Sequence, residues 1–100
     1  MIEIVYPEFD EEELGYKPED VVQLNFTLPK GCTAEELAIA LRAELIPILE
    51  SGVTFGKIVR LYGRMTTGMA AVLGHELAHV AKAVMIFDPK SNSFYTVVWH

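Results

Sequence analysis

The order of elements predicts an α/β domain: a small ferredoxin-like or Rossmann-like two-layer sandwich, with a mostly parallel sheet, an antiparallel C-terminal strand and two main helices. Three observations predict it. Val21 to Leu28 alternates apolar and polar residues, the signature of a half-buried strand. Leu37, Leu41, Leu45 and Leu49 recur at helical spacing. Ala83 to Phe87 is a short continuous apolar run of the kind buried in parallel sheets. Strand, helix, strand, helix and strand in succession imply right-handed crossovers, so both helices lie on the sheet.

Met1 to Tyr6 alternates and reads as a short edge strand. Pro7 to Asp20, with Asp10-Glu11-Glu12-Glu13 inside it, reads as a solvated acidic loop to which no function is given. Val21 to Leu28 sets Val22, Leu24, Phe26 and Leu28 on one face and Gln23, Asn25 and Thr27 on the other. Pro29-Lys30-Gly31-Cys32 breaks the strand. Thr33-Ala34-Glu35-Glu36 is a capping box, so the first long helix starts there. Pro47 lacks an amide proton, which predicts a kink or an end near Ile46. Lys57 to Tyr62 is the next strand, ended by Gly63. Thr66 or Thr67 caps a second helix that runs to about Lys82. Pro89 to Ser93 turns, and Phe94 to Trp99 returns as the last strand.

One hundred residues, 51% of them apolar, suit one domain, with residues 1–20 an acidic extension and 21–100 the core. No apolar run reaches the 18 or so residues of a membrane span, and Met1-Ile2-Glu3 does not resemble a signal peptide. The single cysteine, Cys32, excludes an internal disulfide and suits a reducing cytoplasm. A net charge of −6 argues against a general nucleic-acid coat, yet the charge is uneven. Residues 1–50 carry three cations and twelve anions; residues 51–100 carry five cations and two anions. A local anionic ligand on the C-terminal half is therefore permitted.

The chemistry-bearing residues gather between Gly63 and His100. At about 100° per residue, Met69, Leu73, Leu77 and Val80 form the buried stripe of the second helix. His75, His79 and Lys82 share a face away from it. His75-Glu76-Leu77-Ala78-His79 fits the zinc-peptidase pattern of two imidazoles at i and i+4 with a carboxylate between them. That chemistry needs a third ligand, and only Asp88 and His100 follow. A second reading starts from the strand ends, where ligands of open α/β sheets collect. Gly63-Arg64 ends one strand before a helix N-terminus, and Asp88-Pro89-Lys90 ends the next. An arginine, a lysine, helix amides and a carboxylate suit a phosphodiester, although turn chemistry alone also accounts for Asp88-Pro89.

These residues resemble a family. Gly63-Arg64-Met65, the histidine-bearing helix, the apolar strand into Asp88-Pro89-Lys90 and the strand ending in His100 look like the small type III CRISPR-associated ring nucleases of the Csx-three group. The likeness covers about four-fifths of the chain. Its most specific part is the spacing of nine residues from His79 to Asp88 and twelve more to His100.

The resemblance implies a cytoplasmic homodimer whose dimers stack around cyclic tetra-adenylate and open it to linear products. It also implies RNA 3′-end trimming with manganese, and no role on DNA or membranes. His79, Asp88 and Lys90 would match the catalytic positions, with Asp88 also the metal ligand. Gly63, Arg64, Met65, His75 and His100 would face the RNA. Lys90 stands where the family typically has arginine, and Thr66-Thr67-Gly68 replaces its proline and large aromatic. Two other readings remain at this point: a zinc metallopeptidase, and a non-catalytic sensor of cyclic oligoadenylate.

Geometry adds its own expectation. His79 lies where strand Ala83–Phe87 begins and Asp88 where it ends, about 16 Å away at roughly 3.3 Å per residue. A site using both residues would then be composite, the Asp88 edge of one subunit pair meeting the His79 edge of another with the ligand between.

Overall fold

A computed structural model describes residues 1–99. Five strands form one sheet in the order β1 (Ile2–Val5), β2 (Val21–Phe26), β3 (Ile58–Gly63), β4 (Ala83–Asp88) and β5 (Ser93–Trp99). β2, β3 and β4 run parallel, and β1 and β5 flank them antiparallel. Among the described residues three α-helices, α1 (Glu11–Leu14), α2 (Ala34–Glu50) and α3 (Thr67–Ala78), accompany the sheet, and a single 3₁₀ turn, Pro18–Asp20, leads into β2. Because α2 and α3 are successive right-handed crossovers moving in one direction along the sheet, they lie on the same face. Val22, Leu24, Phe26, Val59, Leu61 and Val84 meet Leu37, Leu41, Leu45, Met69, Leu73 and Leu77 there in one core. No helix among the described residues is long and apolar enough to cross a membrane.

α2 begins as its capping box requires. The Glu36 amide donates to the Thr33 hydroxyl at 3.2 Å, and the Thr33 amide donates to the Glu36 carboxylate at 2.9 Å. The helix does not stop near Ile46; it runs through Pro47 to Glu50. Pro47 forfeits only the bond to the Ala43 carbonyl, and Ala43 is exposed, so water can take that acceptor. Beyond it, Ser51 closes the end by donating its amide to the Pro47 carbonyl and its hydroxyl to that of Ile48.

α3 is shorter than its sequence suggests. Thr66 caps it, accepting from the Met69 amide at 3.2 Å, and it stops at Ala78 rather than near Lys82. The backbone after it is claimed by the loop before β3. The Gly56 amide donates to the Val80 carbonyl at 2.8 Å, and the Lys82 amide donates to the Lys57 carbonyl at 2.8 Å. These bonds pull Val80–Lys82 out of the helix and into line for β4.

The segment 7–20 is not a free loop. Asp10 caps α1 by accepting from the Glu12 amide at 3.0 Å, and Gly15 closes it in the left-handed conformation. Phe9 and Tyr16 then pack over Val21, Ile58 and Ala83, on the sheet face opposite the long helices. Their rings meet edge to face at 5.3 Å, and the Tyr16 hydroxyl lies 3.7 Å from the Met85 sulfur. The acidic residues stay in water while two aromatics between and after them roof one end of the sheet.

Candidate functional site

The parallel centre gives the sheet two chemically distinct rims. The C-terminal ends of β2, β3 and β4 share one rim with the N-termini of α2 and α3. The opposite rim carries the N-terminal ends of those strands, the C-terminus of α3 and the end of β5.

The first rim is built on Gly63. Its φ of +124° falls where side chains strain, and a Cβ there would lie 2.6 Å from the Phe26 carbonyl oxygen on the neighbouring strand. Only glycine lets β3 end against β2 and release Arg64 outward. Arg64 is exposed, and with Tyr62, Gly63, Phe87 and Pro89 it lines a cleft of about 320 Å³. Asp88 holds the adjoining turn. Its Oδ1 accepts from the Lys90 amide at 3.0 Å and its Oδ2 from the Ser91 hydroxyl at 3.0 Å, while Asn92 takes a φ of +54°. Lys90 is exposed beside it. Gly63, Arg64, Asp88 and Lys90 are thus at one rim, as the strand-end argument expects. Met65 differs: it is half-buried and packs against the core, which leaves it little surface for a ligand.

The second rim carries His79. It is the C-cap of α3 and exposed, one turn after His75, and the two rings meet at 5.1 Å and 86°. Lys82 and Trp99 join this rim, the lysine nitrogen 5.6 Å from the indole ring. Trp99 is exposed, and sequence reasoning gave it no role. His100, the remaining ligand-facing candidate, lies outside the described residues. β4 runs the whole way between the rims, so His79 and Asp88 stay apart within one chain, as the strand length implies.

His75 and His79 lack the rest of a peptidase centre among the described residues. Glu76 faces α2, its Oε1 3.7 Å from the Arg42 Nε, rather than the two rings. Arg42, Ala71, Val72, His75 and Glu76 line an interhelical groove. No group of three His, Cys, Asp or Glu side chains among the described residues is placed to hold a metal. On the other rim, the Asp88 oxygens keep lone pairs beyond the hydrogen bonds they accept. A divalent ion there would take one protein ligand and draw the others from phosphate and water, a common pattern for hard cations.

Fold and site together define a two-layer α/β domain with an anion-suited rim of Arg64, Lys90 and a helix N-terminus, and an imidazole-bearing rim opposite. No family model, curated protein or solved structure matches the chain.

Proposed function

We propose that this protein is a cytoplasmic ring nuclease that binds cyclic tetra-adenylate and opens it to linear products. One observation supports the reading above others: the phosphate-suited residues and the imidazole of His79 occupy opposite ends of β4. A ring of RNA held between two copies of the chain can meet both ends at once. One copy offers Arg64, Asp88 and Lys90; the next offers His79, with Lys82 and Trp99 beside it.

The chemistry follows from the side chains. His79, an exposed imidazole, takes the proton of a ribose 2′-hydroxyl. The freed oxygen attacks the adjacent phosphorus, the bond to the 5′-oxygen breaks, and that oxygen takes a proton from water as it leaves, while His79 returns its proton to solvent. A 2′,3′-cyclic phosphate and a 5′-hydroxyl result. Arg64 and Lys90 offset the charge gathering on the phosphate oxygens. Lysine is a point charge where a guanidinium would grip in two places, so affinity at this contact is expected to be modest. Asp88 fixes the turn that presents Lys90 and orients the attacking hydroxyl. A manganese ion carried in with RNA would bind Asp88 and polarise the phosphate, and metal-dependent trimming of RNA 3′ ends belongs to the same proposal.

The test is incubation with cyclic tetra-adenylate, with and without Mn²⁺, beside His79→Ala. Linear product from the native protein and none from the variant supports the reading. Retention of intact ring with no turnover would replace it with a sensor. No interaction with the ring would refute it.

A further inference from the structure

A further pocket lies on the sheet face opposite the long helices and reaches the first rim at Asn92 and Ser93, next to the turn that Asp88 holds. Sheet register sets its floor. Arg60 and Met85 stand side by side on β3 and β4, with Phe87 two residues beyond Met85 on the same face. β5 contributes Phe94 opposite Phe87. Leu14, Tyr16, Arg60, Met85, Phe87 and Phe94 line an open-sided cleft of about 490 Å³, with Asn92 and Ser93 at its edge.

Arg60 is the unusual member. It is half-buried, and its guanidinium carbon lies 3.8 Å from the centre of the Phe94 ring and 5.9 Å from that of Phe9. Its Nε is buried without a hydrogen-bond partner. In a chain of net charge −6, no carboxylate among the described residues pairs with it. Burial also lowers its pKa, the expected direction for a cation without a counterion. A buried donor left unmade is costly, and the guanidinium that carries it lines a cleft open to a ligand.

We propose that this pocket binds a small aromatic anion, one planar ring system in a molecule that carries a single carboxylate or phosphate group. The anion meets the Arg60 donors, whose fork matches carboxylate and phosphate oxygens. The ring lies among Phe87, Phe94, Tyr16 and the Met85 thioether, groups that favour aromatic faces and edges. Phe94 already holds the guanidinium plane, so little side-chain freedom is lost on binding. α1 sets the size limit: it supplies Leu14 to the wall and carries Glu11, Glu12 and Glu13 on the same turn, which repel a polyanion. The proposal does not rest on the ring-nuclease reading, which does not use Arg60, although Phe87 lines both this cleft and the one beside Arg64.

The experiment is an NMR titration of the full chain with two anionic probes, adenosine 5′-monophosphate and benzoate, against their uncharged counterparts adenosine and benzamide. Expected are saturable shifts at the Arg60 Nε–H, Phe87 and Phe94. The anionic member of at least one pair should bind about tenfold more tightly than the neutral one, as a charge-assisted hydrogen bond predicts. Which pair responds tells a nucleotide from an aromatic carboxylate. Arg60→Gln should remove that preference while Arg60→Lys keeps part of it. Should Arg60→Gln fail to fold, Phe94→Leu serves instead, keeping the charge and losing the stack, with affinity expected to fall several-fold. No saturation by either anion at millimolar concentration overturns the proposal, as does equal affinity for charged and neutral probes.

Discussion

Mixing two inactive variants is the sharpest test of a composite centre. A general base must reach within about 3 Å of the proton it takes. β4 alone keeps His79 and Asp88 roughly 16 Å apart in one chain. His79→Ala should therefore lower turnover of cyclic tetra-adenylate by about 10²–10⁴-fold, the usual weight of general acid–base catalysis. Asp88→Ala should lower it too, by unfastening the turn that presents Lys90. Neither change touches the core, since His79 is exposed and Asp88 lies at a strand end. In an equal mixture a site survives when its phosphate rim comes from the His79→Ala protein and its imidazole rim from the Asp88→Ala protein. If copies exchange freely across a head-to-tail contact, that occurs at about a quarter of the sites. Activity of the mixture should then approach about a quarter of native, far above either variant. The assay is separation of linear from cyclic product over time, at fixed total protein. A mixture no better than the mean of its two components would refute the reasoning, because one chain would then be supplying both groups.

Other expectations concern the frame that holds the rims. Gly63→Ala should destabilise the fold by about 2–3 kcal/mol in urea unfolding, since the added Cβ meets the Phe26 carbonyl and φ is positive. Leu41→Ala, in the wholly buried middle of α2, should cost about 2–5 kcal/mol by the same measurement. Thr33→Ala should cost about 1 kcal/mol through the lost cap. The Thr33 amide, and after it the Thr33 hydroxyl, hold the Glu36 carboxyl below its ordinary pKa. A lowered folded-state pKa contributes stability above the unfolded value and loses it as pH falls through the folded one. Glu36→Gln should therefore flatten the acid limb of the stability–pH curve, read by thermal melts from neutral pH downward, and leave the alkaline side unchanged.

Local chemistry determined much of this protein. The capping box at Thr33, the leucines of α2, the alternation of β2 and the apolar run of β4 each specify their element without help from distant residues. The two rims were legible for the same reason, since strand direction follows from element order and right-handed crossovers. Tertiary structure decided the remainder. Pro47 stays inside α2 because Leu45 and Leu49 keep packing beyond the lost bond. α3 ends at Ala78 because backbone partners at Gly56 and Lys57, more than twenty residues earlier, claim the chain that follows. The acidic segment lies down because Phe9 and Tyr16 find an apolar patch assembled from three separate strands. Arg60 shows the limit most plainly. In sequence it is one cation in an apolar strand, and only sheet register brings Phe94 beneath it and leaves its Nε without a partner. Hydrophobic period and capping are written within a few residues; burial of a charge depends on what folds across it.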